Sequence, residues 1–117
     1  MQADEPKKQI SQEEQQKQNR KKALEDGKEK VERFKKKLDE HKEKLDKLKE
    51  NDKDYKDYNN NYFAIQSLGI EACRCALELG FNLDDLLSNW NVYKGIETDE
   101  EIVTNVLKKI EEELKKL

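Results

Sequence analysis

Proline, tryptophan, histidine and methionine each occur once in 117 residues, and glycine occurs four times. With so few helix breakers, long stretches are free to be helical. A single histidine leaves little for acid–base chemistry or for a zinc site. The two cysteines, Cys73 and Cys75, are too few and too close for a disulfide framework, and at i and i+2 of a helix they point to nearly opposite sides. With His41 alone they do not complete four zinc ligands, so they read as reduced, buried small hydrophobes. No Gly-rich phosphate loop or nucleophile elbow occurs, and the carboxylates near Asp52, Asp54 and Asp57 lack the glycine and glutamate of a calcium loop. No metal, cofactor or catalytic residue is expected. No apolar run reaches the roughly 18 residues of a membrane span, and there is no charged-then-apolar leader. The expected location is the cytoplasm, with a mature exported chain behind Met1 left open.

Charge is abundant instead. Charged residues make up 44% of the chain and apolar ones 33%, near the lower limit for a folded protein. The net charge of −3 comes from 24 basic and 27 acidic residues, a balance that argues against a chain built to coat nucleic acid or an anionic membrane. Arginine is confined to Arg20, Arg33 and Arg74, so the rigid forks that read guanine or grip phosphate are scarce.

Apolar residues are unevenly spread. Residues 1–10 carry Pro6 and mixed charge without periodicity and are expected to be disordered. Ser11 and Glu14 form a capping box that starts a helix whose first turns have nothing to bury. From Leu24 onward Leu24, Gly27, Val31, Phe34, Leu38, His41, Leu45 and Leu48 alternate steps of three and four, a coiled-coil-like heptad seam weakened at Gly27 by about 1 kcal/mol relative to alanine.

The flanks of that seam are all lysine: Lys28, Lys30, Lys35, Lys37, Lys42, Lys44 and Lys49. An in-register self-pair would set lysine against lysine, so the seam is expected to prefer an acidic, apolar helical surface. One such surface lies in the same chain. A second capping box, Thr98 with Glu101, predicts a helix whose face of Ile102, Val103, Val106, Leu107, Ile110, Leu114 and Leu117 is bordered by Glu111 and Glu113. Pairing of these two helices within one molecule is the preferred arrangement. Since the long helix runs to about 60 Å and the last to about 28 Å, the first must overhang, bend or meet another chain. His41, a polar residue on the seam, is expected to fix register.

The Asn-rich stretch 51–61 predicts a break near Asn59–Asn61, although Tyr55 and Tyr62 continue the heptad. A third helix, from about Tyr62 to Leu79, places Ile65, Leu68, Ala72, Cys75 and Leu79 on one stripe with further apolar residues beside it, and is expected to be mostly buried. Gly80 suits the left-handed position that ends it. Asn82 then caps a new helix predicted to run from Leu83 to about Tyr93, with Phe81 and Leu86 as a hydrophobic staple. The Gly80-Phe81-Asn82-Leu83-Asp84-Asp85-Leu86 corner resembles one found in helix-turn-helix regulators of the mercury-resistance type, which would imply DNA reading. The likeness covers about ten residues, capping alone produces such a corner, and nothing upstream resembles that family's recognition-helix half.

The expected fold is all-α: a disordered segment 1–10, a long heptad helix over 11–58, and a small helical bundle over 59–117 packed on it. The favoured function is a non-enzymatic protein–protein interaction module, an adaptor or small regulatory protein. Its expected partner-binding residues are Val31, Phe34, Lys35, Leu38, His41, Lys42, Leu45 and Leu48 along the seam, with Trp90 and Tyr93 as aromatic anchors. The partner would present an acidic and apolar helix, and a homo-oligomer is possible. Two other classes stay open: a nucleic-acid-associated regulator of phage or mobile-element type, and an exported helical surface protein that binds a host ligand.

Overall fold

A computed structural model describes residues 11–51, 55–87 and 93–117; the segment 1–10 and Trp90 lie outside them. Among the described residues there are three α-helices and no strand: α1 (Gln12–Asn51), α2 (Tyr55–Glu78) and α3 (Ile96–Lys115), with one 3₁₀ turn (Leu83–Asp85) before α3. The fold is the all-α bundle that the periodicity predicts, with the long N-terminal helix packed on the other two.

α1 starts where the capping box places it. The Glu14 N–H donates to Ser11 Oγ at 3.1 Å, and the Gln15 N–H to the Ser11 carbonyl at 2.9 Å. The helix then runs 40 residues. Its first turns, through Asn19, are exposed, so the overhang is at this end. Arg20 is the first residue to engage the bundle: it donates to the Leu79 carbonyl at 2.5 Å and lies 5.6 Å from the centre of the Phe81 ring. A cation thus satisfies an orphan carbonyl at the C-terminus of α2, where the helix dipole favours it.

Leu24, Val31, Leu38 and Leu45 form the spine of the core, all at 0–1% exposure. α2 contributes Ile65, Ala72, Ala76 and Leu79, and α3 contributes Ile102, Val103, Val106 and Ile110. The pairing of residues fixes directions. His41 meets Asn61 while Gly27 approaches Cys75 and Leu79, so α2 runs antiparallel to α1. Lys42 meets Glu100 while Gly27 approaches Ile110, so α3 is antiparallel to α1 as well, and therefore parallel to α2.

Three local expectations change. Asn59–Asn61 lie inside α2, and the chain leaves α1 after Asn51. Asn61 keeps the helix whole because its amide donates to the Asp57 carbonyl one turn back, at 2.8 Å, while its oxygen faces His41. Of the helix predicted from Leu83 to about Tyr93, the described part, residues 83–87, holds a single 3₁₀ turn at Leu83–Asp85. Asn82 does cap it, accepting from the Asp84 N–H at 3.0 Å. The Leu86 N–H then closes the turn on Leu83, and the Leu86 carbonyl accepts from Asn105 Nδ2 at 2.6 Å. Residues 88–92 lie outside the described residues. Finally, α3 begins at Ile96, and Thr98 is buried within its first turn, accepting the Lys94 N–H at 2.8 Å in place of capping Glu101.

Gly80 (φ +78°) ends α2 in a Schellman motif: its N–H bonds to Leu77 O at 3.0 Å and the Phe81 N–H to Ala76 O at 2.9 Å. This turns Phe81 inward, and the connection that follows carries buried Leu86 and Leu87 back along the bundle to the start of α3. Because α2 and α3 are parallel, such a return strap is obligatory.

If the four aliphatic residues of α1 are the core spine, Leu38→Ala should cost about 3 kcal/mol in urea unfolding, within the usual cavity range. Lys35→Ala, one turn away and exposed, should stay within about 0.5 kcal/mol. Equal midpoints for the two variants would show that the spine is not where the stability lies.

Candidate interaction surface

The seam residues expected to bind a partner divide by depth. Val31, Leu38 and Leu45 are fully buried against α2 and α3; Phe34, His41, Lys42 and Leu48 are partly buried, and Lys35 is exposed. The acidic, apolar surface that the lysine flanks call for is supplied within the chain. Lys42 Nζ lies 2.7 Å from Glu100 Oε2 of α3, which raises the lysine's pKa through that hydrogen bond. Lys28 lines a surface recess with Glu111 and Leu114. On the opposite flank Lys30, Arg33, Phe34 and Lys37 line a groove of about 280 Å³ with Glu71, Arg74 and Glu78 of α2. The Lys42–Glu100 pair is solvent-exposed and weak, about 0.2–1 kcal/mol, and the other cations of the rims share a recess or groove with carboxylates. Their role is to select the pairing of the helices more than to strengthen it.

Two polar arrangements fix how the helices sit. His41 Nδ1 lies 2.7 Å from Asn61 Oδ1. Because the Asn61 amide is committed to Asp57, the contact requires Nδ1–H to donate. The second lies between α2 and α3. Asp99, only 5% exposed, accepts the Tyr93 hydroxyl at 2.6 Å, and that hydroxyl accepts from Gln66 Nε2 at 3.0 Å. The carboxylate fits because residue 69 is glycine: a Cβ there would stand 2.5 Å from Asp99 Oδ1. Loss of water around Tyr93 and its bond to Asp99 push the phenol's pKa up. Burial also raises Asp99, while the Tyr93 hydroxyl pulls it back.

The remaining chemistry is subdued. Burial raises both thiols, Cys73 and Cys75, and so holds them protonated. Among the described residues no group of histidines, cysteines and carboxylates could hold a metal ion, and no helix is long and apolar enough to cross a membrane.

The feature that stands out is apolar. Phe63, Ile70 and Leu77 are 59%, 61% and 55% exposed. They recur every seven residues and so stack in one file along α2. At 100° per residue that file lies nearly opposite Ile65 and Ala72, which face the core. α2 is therefore not mostly buried as expected: it is apolar on nearly every side, a composition that calls for neighbours all round, yet among the described elements it packs only on α1, α3 and the 3₁₀ turn. Tyr93, half exposed and tied to Gln66, borders the file. Of the expected anchors, Tyr93 is thus at the edge of an apolar surface that the seam does not include, and Trp90 lies outside the described residues. The seven-residue spacing was present in the sequence, but with eleven apolar residues from Phe63 to Leu79 more than one face could be drawn.

The glycine contacts give opposite expectations for one substitution. Gly69→Ala must displace the hydrogen-bonded Asp99 and should cost about 2 kcal/mol. Gly27→Ala meets the tip of Leu79 at 3.0 Å, a flexible neighbour, and gains about 1 kcal/mol of helix propensity, so it should fall within about 1 kcal/mol of wild type. Denaturant titration of both separates them. A pH series checks Asp99. Its folded pKa lies above the unfolded value of about 3.9, so its contribution is full below that value and is lost as pH rises through the folded pKa. The stability of Asp99→Asn relative to wild type should therefore increase between about pH 3 and pH 7; a constant difference across that window contradicts the assignment.

Comparison with family models, with curated proteins and with solved structures returns no match for this chain.

Proposed function

We propose that this chain is a non-enzymatic protein-binding module, a small adaptor or regulatory protein, in which α1 is the internal strut and the outward face of α2 is the docking face. The observation that carries this reading is the aligned file Phe63, Ile70 and Leu77, each more than half exposed. At roughly 200 Å² for a large apolar side chain, these exposures leave about 350 Å² of greasy surface, the size of patch that on monomeric proteins is commonly functional. The rest of the molecule shows that such exposure is not forced by composition. On α1 the outer heptad positions Glu25, Glu29, Glu32, Asp39, Glu43 and Asp46 are all charged. Apolar side chains repeating at helical spacing along one face are how a helix docks on a partner.

Nucleic-acid binding has less support. The basic flanks of α1 stand beside Glu71, Glu78, Glu100 and Glu111, which dilute a phosphate-attracting field. Among the described residues the corner after Gly80 holds one 3₁₀ turn, and Leu86 and Leu87 that follow it are buried in the core, where they are not free to enter a groove.

The test uses two baits, wild type and Ile70→Asp/Leu77→Asp, in extracts of the cells that make the protein. Both altered residues are exposed, so the variant should keep its circular dichroism spectrum and melting temperature. A polypeptide, foreign or a differently tagged copy of the chain, should be retained by wild type and reduced roughly thirtyfold or more on the variant, the loss expected of a hot-spot anchor. Equal retention by both baits, or none by either, sinks the reading.

A further inference from the structure

We propose that the occupant of the α2 face is a second copy of this chain, its α2 packed antiparallel across a twofold axis beside Ile70. The inference rests on the docking face described above and names what fills it.

The spacing is the first argument. Phe63 and Leu77 each lie seven residues from Ile70, about 10.5 Å along the helix at 1.5 Å per residue. A dyad at Ile70 brings Ile70 onto its own copy and sets Phe63 against Leu77 of the other chain at both ends. All the anchors find partners at once, as a closed, isologous interface requires.

Charge is the second. In a chain that is 44% charged, the face between Phe63 and Leu77 carries Gln66, Ser67, Cys73 and a single ion, Arg74, whose nearest carboxylate is its own Glu71 at 3.6 Å. Such a face offers almost nothing for a charged partner to recognise, and Arg74 is its one group able to repel a copy of itself. Orientation follows from Arg74. In an antiparallel pair the two guanidinium groups are offset by eight residues, about 12 Å, beyond the screening length of about 8 Å at physiological salt. A parallel pair would place them side by side. The contrast with α1 is direct: its seam is rimmed by lysine and would repel its own copy.

Area is the third. The two files together would remove about 700 Å² of apolar surface. Gln66, Ser67, Cys73 and the rim of Tyr93 bring the total toward the lower end of specific interfaces, about 1,200 Å². That size fits a reversible dimer with a dissociation constant in the micromolar range.

Sedimentation equilibrium of the purified full chain over about 1 µM to 1 mM, bracketing the affinity of a small interface, tests the proposal. Wild type should shift from 13.9 kDa to twice that mass, and Ile70→Asp, folded by circular dichroism, should dimerise at least thirtyfold more weakly. Orientation is read in a Cys73→Ser/Cys75→Ala background with a short bis-maleimide. Ser67→Cys, close to the dyad, should link to its own copy; Asn59→Cys, offset by about 33 Å in the antiparallel pair, should not. A wild type monomeric throughout, an Ile70→Asp chain that dimerises as well as wild type, or self-linking of Asn59→Cys overturns the proposal. Should wild type be monomeric yet still capture a foreign polypeptide through Ile70 and Leu77, only self-pairing fails; should it capture nothing, the docking face fails with it.

Discussion

One file of four aliphatic side chains, Leu24, Val31, Leu38 and Leu45, is shared by two helices, and the arrangement of the molecule follows from that sharing. A heptad stripe two residues wide suits one neighbour. Here its first positions are fully buried because α2 and α3 approach from both sides. The second positions, Phe34, His41 and Leu48, are left only partly covered. A narrow stripe also limits how closely three helices can come together. At Gly27 all three come together: a Cβ added there would lie 3.0–3.6 Å from Leu79, Cys75 and Ile110. What looks in the sequence like a flaw in the seam is the place where a methyl group just fits and a longer side chain would press on both other helices.

The lysine rims then decide which helices may share the file. Each rim faces carboxylates: Glu100 and Glu111 of α3 on one side, Glu71 and Glu78 of α2 on the other. Individually these exposed pairs add little stability, but every alternative that puts α1 beside a copy of itself sets ammonium against ammonium. Register is then set by contacts that tolerate no slip. His41 must find Asn61, and Asp99 must find the gap left by Gly69. A shift of one helical turn would strand a buried carboxylate, at a cost well above that of any rim pair.

Legibility in the sequence follows the same division. The seam, its lysine flanks, the Ser11 cap, the Gly80 stop and the acidic, apolar face of α3 could all be read, because each depends on residues within a turn or two of one another. Their intramolecular pairing could also be argued, from charge. Events set by distant partners could not. Where local capping predicts an α-helix, the described residues hold a 3₁₀ turn, with the Leu86 carbonyl accepting from Asn105 of α3. Thr98 looks like a cap but is the third residue of its helix, where it accepts the Lys94 N–H from the return strap. Asn59–Asn61 read as a break, yet His41 holds Asn61 in a helix that continues. For the candidate site the limit was different: the outward file of α2 was visible as spacing, but periodicity does not say which apolar face of a helix will lack a neighbour.

The topology supplies that missing information. Because α2 and α3 run parallel, the chain must travel back the length of α2 between them, and this strap brings Phe81, Leu86 and Leu87 into the core. α1 covers the side of α2 that holds Leu68 and Cys75, α3 covers the side of Gly69 and Ala76, and Tyr93 reaches Gln66 at the margin of the strap. The described elements therefore leave uncovered the sector directly away from the bundle axis, which is the sector of Phe63, Ile70 and Leu77. A solvent-facing sector on a three-helix bundle ordinarily carries charge, as the outer face of α1 does, and a file of large apolar side chains there raises the free energy of the isolated chain by exposing surface that folding could have hidden. The arrangement lowers its free energy only when something apolar is laid along α2.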